Sequence, residues 1–355
     1  MRLVAHNGAP IWGGAEQATV RLLAGLARRG HEALLLCNDP VVRDRARAAG
    51  VEAALLPLGG DLMLQHAVRL ARALRVEGAD TLLLTTYRKL WLGALAGRLA
   101  GVRVVARVGL ETDTPRNAKY RLVLKRWVDV VVLNAAAMRD AFETLPRGPA
   151  VEIIPTGIEP LRPGDGSGLR RALDIPADAF VAGTVARLAE QKRLDRLLGA
   201  AAALTPDIHV LVAGDGPERD ALDALARELG LADRVHLPGH REDVASVLAA
   251  LDVFVVSSDR EGLSNAMLEA LWAGVPVVST PVSGARDALE PLADGRRPGR
   301  VVTFEAGAIA DAVAELRADP GLQAEMGAAA RERARERFGE ERMLDAWETL
   351  LGGGA

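Results

Sequence analysis

Apolar residues along this chain come in short unbroken runs, separated by longer stretches in which they recur every three or four positions. The runs stand at 3–6, 33–37, 81–85, 102–107 and 128–133, and helical spacing fills 16–29, 62–76, 90–99, 118–127 and 135–144. A run that is apolar on both faces suits a strand covered on both sides. Its alternation with amphipathic helices predicts a parallel sheet. A second series has strands at 180–185, 208–213, 235–237, 253–257 and 275–279, with helices at 193–204, 218–229, 243–250 and 265–273. From 308 onward the pattern is helical, with breaks expected at Pro320 and near Gly339. The turn-rich segment Pro163-Gly164-Asp165-Gly166-Ser167-Gly168 reads as a linker. The expected fold is therefore α/β, with two Rossmann-like doubly wound domains in series. Ligands of such sheets bind beyond the carboxyl ends of the strands, so a cleft between two facing sheets is the first place to look.

A length of 355 residues favours two domains, and 49% hydrophobic with 26% charged residues is ordinary for a globular protein. The net charge of −3 argues against nucleic acid as a partner. Cys37 is the only cysteine, which rules out an intramolecular disulfide and suits a reducing compartment. The opening Met1-Arg2-Leu3-Val4-Ala5-His6 does not read as a signal peptide, and no apolar run reaches the roughly 20 residues of a membrane span. These features point to the cytoplasm.

Four segments carry candidate chemistry, each placed where a strand gives way to a helix. In Gly13-Gly14-Ala15-Glu16, two glycines would let backbone approach a phosphate at a helix N-terminus; read alone, the same residues make a plain turn. In Arg187-Leu188-Ala189-Glu190-Gln191-Lys192, two cations past a strand end can converge on a diphosphate; the bland alternative is a solvated helix start. Gly214-Asp215-Gly216-Pro217 is turn-to-helix punctuation in which Asp215 is expected to cap the next helix. Glu261-Gly262-Leu263-Ser264-Asn265-Ala266-Met267-Leu268-Glu269 is the most informative. Glu261 alone would pass as a loop acid, but Glu269 lies among Leu268, Ala270 and Leu271, where a carboxylate is costly unless paired. Glu261 can accept from sugar hydroxyls, Glu269 from ribose hydroxyls, and the turn's amides can face a departing phosphate.

Arg187…Lys192, Gly214-Asp215-Gly216-Pro217, and Glu261…Glu269 followed by Gly274-Val275-Pro276-Val277-Val278 resemble the signature of family 4 glycosyltransferases, which have the GT-B fold. Pro155-Thr156-Gly157-Ile158-Glu159 resembles that family's interdomain segment. The resemblance is dense in the C-terminal half and confined to Gly13–Glu16 in the N-terminal half. It implies retention at the transferred carbon, nucleotide binding mostly by the second domain, and a C-terminal helix that crosses back to the first. The chain then divides into an acceptor domain at 1–160, a nucleotide-sugar donor domain at 161–338, and a returning helix and tail at 339–355. The implied catalytic residues are Glu261, Arg187 and Lys192. The donor-binding set is Gly13, Gly14, Gly214, Gly239, His240, Gly262, Leu263, Ser264, Asn265 and Glu269. Three departures stand out. Ala186 replaces a frequent glycine. A histidine often found after the strand at 102–107 is missing from Arg107-Val108-Gly109-Leu110-Glu111, which leaves His6, Arg107 or Glu111 as acceptor-side candidates. Ser283-Gly284-Ala285-Arg286-Asp287 stands where the family has a Gly-Gly…Glu stretch.

No Asp-x-Asp pair occurs in the sequence, so no metal or other cofactor is expected, and fixed cations with helix amides would carry the diphosphate charge. The expected reaction moves a hexose-type sugar from a UDP- or GDP-sugar to a glycan, lipid-linked or lipopolysaccharide-type acceptor. The alternatives are a sugar-nucleotide epimerase of the same fold or a non-catalytic nucleotide-sugar binding protein. A Rossmann oxidoreductase is disfavoured by the absence of Gly-x-Gly-x-x-Gly after the first strand. A basic cluster, Arg98, Arg103, Arg107, Arg116, Lys119, Arg121, Lys125 and Arg126, borders an apolar stripe of Tyr120, Val123, Leu124 and Trp127. Such a helix can lie on an anionic membrane at the inner face of the cytoplasmic membrane; the competing reading is that the stripe is simply the buried face.

Overall fold

Seven strands of the first half pair in parallel: β1 (Arg2–Asn7), β2 (Glu32–Cys37), β3 (Glu52–Leu55), β4 (Thr81–Leu84), β5 (Arg103–Val108), β6 (Val130–Leu133) and β7 (Ala150–Ile153), in the order β3-β2-β1-β4-β5-β6-β7. The computed structural model describes residues 1–59, 63–110, 118–143 and 148–352. Alternate residues along each strand face opposite sides, so one core forms on each face. Leu3, Ala5, Leu35, Leu83 and Val105 pack on one side, and Val4, Leu34, Leu36, Leu82 and Val104 on the other.

The second half repeats the plan with β8 (Phe180–Val185), β9 (Ile208–Ala213), β10 (Val235–Gly239), β11 (Val253–Val256), β12 (Val277–Ser279) and β13 (Gly299–Val301), ordered β10-β9-β8-β11-β12-β13. Counted from its own first strand, each sheet contains the order 3-2-1-4-5-6, with β7 added at the far edge of the first; this is the doubly wound order, in which the strand order reverses between the first and fourth strands. The chain separates into two units, Met1–Gly157 with Glu340–Ala355, and Ile158–Gly339.

The C-terminal helix Glu340–Gly352 belongs to the first unit. Met343, Leu344, Trp347 and Leu351 complete that unit's core, and Gly25 lets Leu344 approach the helix Gly14–Arg28. Arg29 pairs with Glu341, with Asp345 at 2.8 Å and with Glu348 at 2.7 Å, and Arg103 donates to the Leu350 carbonyl at 2.8 Å, satisfying a helix C-terminus.

Strands β3, β7 and β13 lie outside the sequence expectation. Each is short and at or near a sheet edge, and β3 and β7 read Glu-Ala-Ala-Leu and Ala-Val-Glu-Ile, without the apolar run that marks a strand buried on both faces. The expected linker is also corrected. Asp165 caps a helix, Gly166–Ala172, by accepting from the Gly168 amide at 2.7 Å. A Cβ on Gly164 or Gly166 would lie 2.2 Å from backbone atoms of residues 245–249, so these glycines serve close packing rather than flexibility.

Candidate active site

In the second sheet the switch point lies between β8 and β11, and the chemistry-bearing residues leave the carboxyl ends of those two strands. After β8 the backbone stays extended: the Ala186 amide donates to Ala213 at 3.0 Å and the Leu188 amide to Asp215 at 2.9 Å. This pairing turns Arg187 outward, where its guanidinium is exposed. It also accounts for Gly214 and Gly216, since a Cβ there would sit 1.8 Å and 2.3 Å from the carbonyls of Ala186 and Leu188. Asp215 does not cap the helix Arg219–Glu228. Its carboxylate accepts from the adjacent Gly216 amide at 2.8 Å, and Glu218 occupies the cap position.

Lys192 ends a short 3-10 turn, Glu190–Lys192, and its ammonium pairs with the buried carboxylate of Glu261 from the loop after β11. The Ser258 hydroxyl donates to the same carboxylate oxygen at 3.1 Å, and the Ser257 hydroxyl donates to the Lys192 carbonyl at 2.8 Å. Thr184, Ala186 and Ser264 line the hollow beside the pair. An ammonium has three protons to donate, so Lys192 can hold Glu261 and still face an incoming anion. Gly262 and Leu263 lead into the helix Asn265–Ala273, whose cap Ser264 accepts from the Met267 amide. Glu269 is buried one turn into that helix. Gly239 ends β10 with φ +81, its carbonyl accepting from the Gly214 amide at 2.8 Å, and His240 beyond it is exposed. Arg187, Lys192, Glu261 and the helix start are thus carried by loops from two adjacent strands. Ser257, Ser258 and Asp259 lie outside the sequence expectation; the available signal was a pair of small hydroxyl residues directly after an apolar strand.

The first unit has its own switch point between β1 and β4. Asn7 donates to Thr85 at 3.0 Å and to the buried Glu16 at 3.2 Å, and the Gly8 amide donates to Thr86 at 3.0 Å. Gly13 caps the helix that begins at Gly14, with an extended backbone. His6 is interior: Nε2 donates to the Leu56 carbonyl at 3.1 Å, leaving Nδ1 buried without a partner among the described residues. Burial, reinforced by the Lys89 charge, pushes this histidine down to about 4, so it is neutral at pH 7. Arg107 donates to the Thr156 hydroxyl at 2.9 Å, and burial together with nearby Arg21 lowers its pKa to about 10. Glu111 and Arg116 lie outside the described residues.

On the helix Ala118–Trp127, Val123 and Leu124 are buried, Tyr120 stacks on Tyr87 at 4.6 Å and Trp127 meets Trp91 at 5.2 Å. The apolar stripe is therefore the packed face, and Arg121, Leu122, Lys125 and Arg126 point outward. No helix among the described residues is long and apolar enough to cross a membrane.

Two doubly wound parallel sheets in one chain, the second presenting cations and a helix N-terminus at its switch point, define the GT-B class of glycosyltransferase fold. The family model "Glycosyltransferase Family 4" matches residues 12–162 and "Glycosyl transferases group 1" matches residues 168–333. The lipopolysaccharide core biosynthesis glycosyltransferase LpsE of Rhizobium meliloti is 32% identical over 344 residues, 96% of each chain. A GDP-mannose-dependent alpha-mannosyltransferase of Mycobacterium tuberculosis is 29% identical over 82% of each. Anabaena Alr3699/HepE, solved in complex with UDP, shares the fold with a TM-score of 0.87 over 99% of this chain and 100% of that one, at 23% identity. The chain belongs to glycosyltransferase family 4 and is a glycosyltransferase.

Proposed function

We propose that this enzyme transfers a hexose-type sugar, with retention, from a UDP- or GDP-sugar to a lipopolysaccharide-type acceptor, using Arg187, Lys192 and helix amides in place of a metal. The observation that carries the reading is the meeting of Lys192 and Glu261 at the switch point of the second sheet, beside the helix that starts at Asn265. As the bond from the sugar's C1 to the diphosphate oxygen lengthens, negative charge grows on the leaving group. Arg187, Lys192 and the amides near Ser264 receive it in this reading. Glu261 and Glu269 accept from hydroxyls of the sugar and the ribose. The acceptor oxygen attacks C1 on the face the diphosphate leaves, and its proton passes to the departing phosphate. Gly214, Gly239 and His240 belong to the donor site of the second unit, and the first unit carries the acceptor, with Arg107 and Glu111 as candidate contacts in place of the interior His6.

The lipopolysaccharide-type acceptor is supported by the full-length similarity to LpsE. The outward Arg121, Lys125 and Arg126 support peripheral, salt-sensitive contact with an anionic membrane, now without an aromatic anchor. A thermal-shift panel of UDP-, GDP- and ADP-sugars tests the donor reading, because a bound ligand raises Tm by mass action. No shift with any of them would sink it. Lys192→Ala is expected to lower kcat/KM by about 10–100-fold through loss of one charged hydrogen bond, measured as nucleotide release.

A further inference from the structure

Arg193 follows Lys192 directly and sits in the left-handed region, at φ +48 and ψ +47. It and Asp174 are the two non-glycine residues with positive φ among those described. A left-handed L-residue is strained and persists only where its surroundings hold it. Here the side chain supplies the hold. Its guanidinium spans two carboxylates, Asp195 through Nε at 3.0 Å and Nη2 at 2.9 Å, and Asp259 through Nη1 at 3.1 Å. The buried Arg196 grips the same Asp259 at 2.7 Å and donates to the Ser257 carbonyl. Burial opposes ionisation of Asp259, but hydrogen bonds from Arg196 and Arg193 outweigh it and hold the carboxyl below its usual range. The Asp259 amide donates to the Gln191 carbonyl at 3.0 Å. The two loops are thus joined on both sides of Lys192, and Asp259 stands two residues before Glu261.

We propose that Arg193 and Asp259 form a clamp that positions Lys192 against Glu261, so that the ammonium is already in place when charge develops on the leaving diphosphate. The clamp rests on the donor-site reading of Lys192. Its bridge is bought with backbone strain, and one substitution removes strain and bridge together. Glycine adopts the left-handed region freely, so Arg193→Gly keeps the local chain path while abolishing the contacts.

The assay is release of UDP from UDP-glucose, or of GDP from GDP-mannose, whichever the wild-type enzyme turns over. Arg193→Gly is expected to lower kcat about tenfold with KM within twofold, while Tm stays within about 2 °C of wild type, because relief of the left-handed strain offsets the lost contacts. Asp259→Asn is expected to lower kcat similarly, and the double variant to be little worse than either, as for residues acting as one unit. Wild-type kcat in Arg193→Gly overturns the clamp, as does a loss that tracks a fall in Tm, or additive losses in the double variant. If Lys192→Ala also leaves kcat/KM unchanged, the donor-site reading itself has failed; if Lys192→Ala is impaired and Arg193→Gly is not, only the clamp has.

Discussion

Gly284 lies in the helix Ser283–Ala288, where a Cβ would sit 2.2 Å from the Gly262 carbonyl oxygen and 2.5 Å from the Leu263 Cα. Ordinary contact begins at 3.4 Å, so Gly284→Ala requires a shift of about 1.2 Å, and both obstacles are backbone. No side-chain rotation relieves this. Overpacking of this kind costs roughly 1–3 kcal/mol. At about 2–4 °C per kcal/mol for a unit of this size, Tm should fall by about 2–12 °C. The turn that must move joins Glu261 to the helix Asn265–Ala273, so the damage reaches the site. A displacement near 1 Å at a site that relies on positioning costs up to about 100-fold in rate. Differential scanning fluorimetry and nucleotide release measure the two effects. Gly307→Ala is the control: it lies in the first turn of the helix Ala306–Ala318 with no atom within 4 Å of its Cβ, and should be neutral or slightly stabilising. If Gly284→Ala retains wild-type Tm and turnover, this packing argument is wrong.

Two further outcomes follow from burial. His209 and His236 share a hydrogen bond at 3.0 Å with stacked rings, and burial pushes both below the usual histidine value, reinforced by Arg234 and Arg170 at His209 and by His209 at His236, against weaker pull from Asp207 and Asp174. The unfolded chain therefore binds more protons below about pH 6.5, so their contribution is intact above that pH and lost as the pH falls through it; Tm measured from pH 8 to 5.5 should decline more steeply in wild type than in His236→Leu, and equal slopes would refute this. Trp347→Ala empties a fully buried position in the first unit's core and should cost about 3–5 kcal/mol, seen by calorimetry as an earlier transition; an unchanged thermogram would show that the C-terminal helix is not needed there.

What the sequence disclosed depended on whether a residue's neighbours in the chain are also its neighbours in space. The runs behind β1, β4, β8, β9 and β11 were legible because both faces are buried, and Glu269 because a carboxylate flanked by apolar helix residues is tolerated only where it has a polar partner. Edge strands β3 and β13 lack that burial and gave no such signal. Gly164 and Gly166 misled because a glycine that admits backbone and a glycine that permits a turn are the same letter. The hydrogen bonds from Ser257 to Lys192 and from Ser258 to Glu261 were beyond reach of spacing, since β8 and β11 become neighbours only when the sheet reverses direction.

That reversal occurs twice, and the two instances differ in their side chains. In the first sheet the switch point is closed by amide and hydroxyl groups, Asn7 to Thr85 and Gly8 to Thr86, with the buried carboxylate of Glu16 alongside. In the second, Lys192 and Arg187 stand over the strand ends and Arg193 and Arg196 lie behind them. Each switch point holds a buried carboxylate, but Glu261 is met by the Lys192 ammonium whereas Glu16 is met by the neutral Asn7 amide, so the groups offered to a ligand differ. One topology therefore carries two different sets of side chains at its switch points. The difference comes from a handful of side chains at equivalent positions after the first and fourth strands of each sheet, which is why strand order identifies where to look and only the residues there decide what binds.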